Sequence, residues 1–182
     1  PGQDAPIYLD SNATTQPLPE VMEAMSRVMR DVWANPSSIH RAGQMARREV
    51  DTARDEVCQL IGARPSEVVF TSGGTESINT CLKSLARWRR KPVIVTSAIE
   101  PAAVREQLDD LAELASHEIV VLPNDNAGVV QVDALDELLA TRADDVAFVT
   151  IMWANNETGV IQPIEKIGDR CRAAGIPFHS DA

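Results

Sequence analysis

The stretch Pro92-Val93-Ile94-Val95-Thr96-Ser97, followed through residues 98–117 to Glu118-Ile119-Val120-Val121-Leu122-Pro123, decides the fold. Its two ends are short runs rich in valine and isoleucine, which read as strands. The segment between them, 102–116, reads as a helix. A strand, a helix and a second strand in this order form one βα unit, with the two strands side by side and parallel.

The same alternation continues in both directions. Upstream, Glu67–Thr71 (EVVFT) is predicted as a strand, followed by a Gly-Gly turn and a helix to about Trp88. Downstream, a turn at 124–128 leads to a helix through about Thr141, with Asp133 as its expected cap and Asp136 in its first turn. Val146–Met152 (VAFVTIM) is a further strand, a helix over 163–174 opens at Pro163 and closes near Gly175, and 176–179 is the last strand. Near the amino terminus, Leu18, Val21, Met22, Met25, Val28, Met29 and Val32 form an apolar stripe at helical period over 17–33. Pro19 suits a first helical turn. A second helix over 41–62 carries Ala46, Val50, Ala53, Val57, Leu60 and Ile61 and ends at Gly62. The expected fold is α/β, a mostly parallel sheet covered by helices on both faces.

Composition narrows the function. The 182 residues are 44% hydrophobic, enough for a real core, and carry a formal net charge of -10. That charge argues against nucleic acid or an anionic membrane surface as partner, though it leaves room for a local cationic pocket. No apolar run approaches the roughly 20 residues of a membrane span. Pro1-Gly2-Gln3-Asp4 shows no signal-peptide character, so a cytoplasmic location is expected. The three cysteines, Cys58, Cys81 and Cys171, lack paired spacing and fit reduced thiols better than disulfides or a zinc site.

Ligands of open α/β sheets gather at the carboxyl ends of the strands. In this chain those ends carry Ser72-Gly73-Gly74-Thr75, Glu100-Pro101, Asn155-Asn156-Glu157 and Asp181. A glycine turn entering a helix presents unpaired N–H groups and lets the backbone approach a phosphate, and Thr75 adds a hydroxyl. The loop matches neither the Walker pattern nor GxGxxG, and a plain βα turn is the alternative. Asp181 suits either a surface acid or a carboxylate that keeps a bound pyridine protonated. Asn155-Asn156-Glu157-Thr158-Gly159 reads as a turn or as an amide set toward a cofactor hydroxyl or substrate. For Asn35-Pro36-Ser37-Ser38-Ile39-His40, a loop with a helix cap is the favoured reading.

Six segments resemble, in family order, the amino-terminal half of a cysteine desulfurase of the NifS/IscS group, which belongs to the class-V aminotransferase-like, fold-type I enzymes. They are Tyr8–Thr15, Asn35–His40, Phe70–Glu76, Ser97–Glu100, Asn155–Gly159 and His179–Ala182. The resemblance implies a large domain that binds pyridoxal 5'-phosphate (PLP), incomplete at its C-terminus, over 17–182, with an amino-terminal arm over 1–16. It implies that Gly74 and Thr75 hold the PLP phosphate, Asn156 contacts the phenolic side of the ring and Asp181 pairs with the ring nitrogen. Asn12, Asn35 and His40 would lie at the active-site mouth. The implied reaction takes sulfur from L-cysteine, leaves alanine and passes a persulfide onward, in the setting of iron-sulfur cluster assembly. The implied partners are a homodimeric or hetero-oligomeric second polypeptide carrying the missing half, and a sulfur-acceptor protein.

The chain also departs from that pattern. It stops before the family's Schiff-base lysine and persulfide cysteine, so no catalytic residue of the reaction is expected within it. Cys58, Cys81 and Cys171 fall in predicted helices and read as structural thiols. Pro101 stands where the family carries a ring-stacking histidine, and Trp153 stands where a histidine is common. Neither replacement can exchange a proton as an imidazole does. A non-catalytic binding or regulatory subunit, and a PLP lyase or transaminase acting on another amino acid, stand beside the desulfurase reading.

Overall fold

The computed structural model describes residues 7–182. The first six residues of the expected arm, including the Pro1–Asp4 terminus read for a signal, lie outside the described residues. The chain divides into two compact units between Phe70 and Thr71.

The first unit holds two helices. Helix α1 (Pro19–Asp31) starts with proline at its first turn, as expected, and none of its residues is buried. Its methionine stripe therefore lines a surface within this unit. Helix α2 (Arg41–Ile61) is capped by His40, whose ring nitrogen accepts from Gly43 N. It ends at Gly62, which takes a left-handed φ of 69°. Gly43 has no room for a side chain: a Cβ there would sit 2.8 Å from Asn35 O and 2.7 Å from Ser38 Cβ. Arg27 of α1 donates two hydrogen bonds, of 3.0 and 2.9 Å, to the Glu49 carboxylate of α2. Beside that pair lies an apolar groove of about 720 Å³, lined by Met25, Val28, Met29, Val50, Ala53 and Phe70 among others.

The second unit is the sheet. Helix α3 (Gly74–Arg89) leads into β1 (Val93–Ser97), α4 (Ala102–Ala115), β2 (Glu118–Leu122), α5 (Val132–Arg142), β3 (Val146–Thr150), α6 (Ile164–Ala173) and β4 (Phe178–His179). The strands run parallel in the order β2-β1-β3-β4. Every residue of β1 and β3 is buried. Side chains alternate across a strand, so the two faces take different partners. Ile94 and Phe148 face Ile78, Leu82 and Ala86 of α3 and Val104, Leu108 and Leu111 of α4. Val93, Val95 and Val149 face Leu135 of α5 and Ile167 and Cys171 of α6. This is the doubly covered parallel sheet that the apolar runs imply.

Two local expectations fail. The strand expected over Glu67–Thr71 does not form; Glu67 closes a 3-10 turn over Pro65–Glu67, and irregular backbone follows. A strand exists only when a neighbour takes its N–H and C=O groups. The edges of the sheet are β2 and β4, and Val69 stays exposed. Asp133 does not cap α5 either: the cap falls two residues earlier, at Gln131, with no side-chain bond there, and Asp133 lies in the first turn. Asp136 serves another purpose and pairs with Arg170 of α6 at 3.2 Å. Among the described residues, no helix is long and apolar enough to cross a membrane.

The sealed centre of the sheet sets a stability prediction. Phe148 is fully buried between α3 and α4. Phe148→Ala is expected to lower the unfolding free energy by about 3–5 kcal/mol, read by urea denaturation, because a large cavity opens where nothing can collapse into it. A loss below about 1 kcal/mol would mean that this face is not tightly packed.

Candidate active site

The site is built at the carboxyl ends of the strands. Helix α3 enters β1 through only three residues, and Arg89 at its far end donates to Gly175 O, just ahead of β4. The C-terminus of α3 thus lies at the amino edge of the sheet. Its 16 residues span about 24 Å, which carries Gly74 and Thr75 back to the carboxyl edge. The loop before it is tied by its own side chains. Glu76 accepts from both the N–H and the hydroxyl of Ser72 at 2.6 Å, and Thr71 Oγ1 lies 2.6 Å from Ser77 Oγ. These bonds hold the Glu76 carboxyl below the usual carboxylate range. The first backbone bond of the helix runs from Ser77 N to Gly73 O, so the N–H groups of Gly74, Thr75 and Glu76 precede the intrahelical ladder. No side chain caps them, and a Cβ added at Gly73 or Gly74 would meet nothing within 4 Å. The arrangement is an open cradle for an anion.

Beyond β1, β3 and β4, three chain segments meet at one corner. Ser97 Oγ donates to Glu100 Oε1, and Met152 N donates to Oε1 at 3.1 Å and to Oε2 at 3.0 Å. Trp153 N donates to Asp181 O at 2.7 Å, which extends the β3–β4 pairing to the candidate acid. Asn155 anchors the next turn: its Nδ2 donates to Ile99 O at 3.1 Å, and its Oδ1 accepts from Glu157 N and Thr158 N. Asn156 is exposed and Asp181 is half-buried.

The charges of this corner are coupled. Glu100 is only 4% exposed, and its carboxyl is raised to about 7, chiefly by burial. The Ser97 and Met152 bonds pull it down, and the Asp181 charge pushes it further up. His179 shares a 2.9 Å hydrogen bond with Thr150 Oγ1. Burial lowers its pKa, and Asp181 partly offsets that. Asp181 therefore acts electrostatically on both neighbours.

The predicted mouth residues lie in the other unit and have local roles there. Asn35 Oδ1 accepts from Ser37 N at 2.8 Å, and His40 caps α2, as the loop-and-cap reading expects. Asn12 sits in a turn where Ala13 N and Thr14 N donate to Asp10 O. Tyr8 Oη closes that turn by donating to Asp10 O and Thr14 O. Pro101 stands at the cap position of α4, and Trp153 is 49% exposed. The cysteines all lie in helices; Cys58 and Cys171 are buried, and burial pushes the Cys171 thiol up to about 11. Among the described residues, no cluster of three His, Cys, Asp or Glu could hold a metal.

Sequence reasoning placed Glu100 at the edge but gave it no task. The available signal was an acid in the apolar run Ala98-Ile99-Glu100-Pro101-Ala102-Ala103-Val104, with no base until Arg105.

An uncapped helix start, glycines with open space around them and a half-buried carboxylate stand at the carboxyl edge of a parallel sheet covered by helices on both faces. The chain belongs to the aminotransferase class-V family, whose pattern it matches over residues 7–182. An IscS-like cysteine desulfurase of Mycobacterium tuberculosis is 42% identical over 96% of this chain and 45% of its own length. The selenocysteine lyase of Bos taurus is 37% identical, over 100% of this chain and 48% of its own. A solved NifS-like protein superposes with a TM-score of 0.90 at 37% identity, covering 97% of this chain and 48% of that one. The chain thus spans about half the length of the relatives it matches, and its fold is that of the fold-type I enzymes. The cysteine desulfurases and class-V aminotransferases are PLP-dependent families.

Glu100 gives the site a pH signature. Its pKa is higher folded than unfolded, so the folded chain holds the extra proton between about pH 4.5 and 7. That contribution to stability is complete below the unfolded value and is lost as pH rises through about 7. Glu100→Gln cannot titrate. The wild-type minus variant difference in unfolding free energy is expected to fall by on the order of 3 kcal/mol across that window. Urea titrations at a series of pH values measure it; a difference that stays flat would show that Glu100 is ionised normally.

Proposed function

We propose that this chain is the PLP-holding part of a cysteine desulfurase, an enzyme that releases sulfur from L-cysteine, leaving alanine and an enzyme persulfide. The observation that carries this reading is the uncapped, glycine-opened start of α3 at the same sheet edge as Asp181. In this reading the N–H groups of Gly74 and Thr75 and the Thr75 hydroxyl take the phosphate, helped by the helix dipole. Asp181 accepts from the protonated ring nitrogen, and Asn156 meets the phenolic oxygen. When bound, PLP supplies an electron sink for the carbon that loses its substituent. Asn12, Asn35 and His40 form the entrance, with residues 1–16 as an arm and 17–182 as part of the large domain.

The lysine that anchors PLP and the cysteine that takes the sulfur come from sequence outside residues 1–182, on the same polypeptide or a second one. The working enzyme is a cytoplasmic dimer that hands its persulfide to an acceptor protein for iron-sulfur cluster assembly. A second reading, a PLP lyase acting on another amino acid, is favoured by Pro101 and Trp153. With no imidazole at either position, proton transfer falls to other groups. The match to a selenocysteine lyase points the same way.

Native mass spectrometry of the protein isolated from its source, followed by sulfide and alanine assays with L-cysteine, tests both readings. A cofactor-bearing assembly that releases both products supports the first. Release of a different product from another amino acid supports the second, and an assembly without cofactor contradicts both. Within the assembly, Thr75→Val is expected to weaken PLP by about tenfold, the worth of one charge-assisted hydrogen bond, and Gly74→Val to weaken it by filling the open space through which the phosphate reaches the backbone N–H groups. Neither should change the binding of unphosphorylated pyridoxal, and equal losses for both ligands would displace the phosphate from α3.

A further inference from the structure

Glu100 is the only acidic or basic side chain that is buried among the described residues. Most of its hydrogen-bonding capacity is taken by Ser97 Oγ and Met152 N, which tie the β1–α4 turn to the end of β3. The same two segments are joined again by Asn155 Nδ2 on Ile99 O. One residue beyond Met152, Trp153 N holds Asp181 O. A buried carboxyl group thus lies one link from the backbone of the proposed ring-nitrogen partner.

We propose that Glu100 is a positioning residue, whose clamped carboxyl group sets the place of the Asp181 carboxylate and keeps the Trp153–Asn156 loop in register with it. The inference rests on the reading of Asp181 as the ring partner. The groups that face this corner are Asp181, whose charge acts directly on Glu100, and His179, which Asp181 also influences. Among the described residues, Asp181 is the charged group that acts on Glu100. When the carboxyl is protonated, Asp181 is the single anion of the corner. When it ionises, two like charges act on each other at this corner, and the half-buried Asp181 carboxylate is repelled. The proton on Glu100 therefore governs where Asp181 points.

Trp153 is the reporter, because its N–H and its neighbour Met152 hold the two sides of the clamp. In the full assembly carrying Trp33→Phe and Trp88→Phe, its emission is followed from about pH 5.5 to 8.5. A transition with a midpoint near 7 is expected, absent in Glu100→Gln and moved to lower pH in Asp181→Asn. A purely structural Glu100 would show no response to Asp181→Asn. Glu100→Gln preserves the shape of the clamp and is expected to bind PLP equally across the range, whereas the parent's affinity changes through the same midpoint. An emission that does not titrate, or a midpoint untouched by either variant, overturns the proposal. If PLP binds to none of these proteins, the cofactor reading falls, and the emission titration still decides the role of Glu100.

Discussion

Two adjacent strands sealed on both faces govern this molecule. β1 and β3 bury every side chain they carry, so neither face of the central sheet can present a polar group to solvent. A pair so enclosed needs helices on each side, and α3 with α4, and α5 with α6, supply them. Chemistry is thereby expelled to the ends of the strands, where the chain must turn and side chains of any type are tolerated. The parallel direction makes the ends unequal. Loops after β1, β3 and β4 converge at the carboxyl edge, and α3, running back along the sheet, brings its own N-terminus there.

That edge is polar in two different ways. The start of α3 leaves backbone donors uncovered, and the only acid in its first turn, Glu76, is folded back onto Ser72. The field there is that of the helix, positive toward solvent. The corner beyond β3 is the reverse: the Asp181 charge acts on both Glu100 and His179. A carboxylate buried that way is costly unless it is hydrogen-bonded or neutral. Glu100 is hydrogen-bonded by Ser97 and Met152 and shifted toward neutrality. A phosphate at one place and a ring nitrogen at the other would answer both fields.

Much of this was legible in the residues. Runs such as Val93–Ser97 and Val146–Thr150 admit little but buried strands, and Pro19 and Gly62 mark helix ends through backbone rules that need no tertiary context. The segment Glu67–Thr71 misled because a β-branched pattern states a preference, whereas a strand requires a partner. Asp133 misled because the cap falls at Gln131, two residues sooner than capping propensity suggests. Of the site, the glycine turn and Asp181 could be marked from sequence. The task of Glu100 could not, because it depends on Met152, distant in the chain and brought near only by the β1–β3 pairing. Gly43 was equally silent, since its need arises from the close approach of Asn35 and Ser38.

The central claim is that residues of this chain take the phosphate at α3 and the ring at Asp181. Its most direct test is a map of backbone amide resonances, in isotopically labelled protein, as PLP is added and then, separately, unphosphorylated pyridoxal. The account predicts that the Gly73–Glu76 amides shift with PLP and not with pyridoxal, while those around Trp153 and Asp181 shift with both. Shifts confined to the α1–α2 groove, or a response of Gly73–Glu76 to both ligands alike, would contradict it.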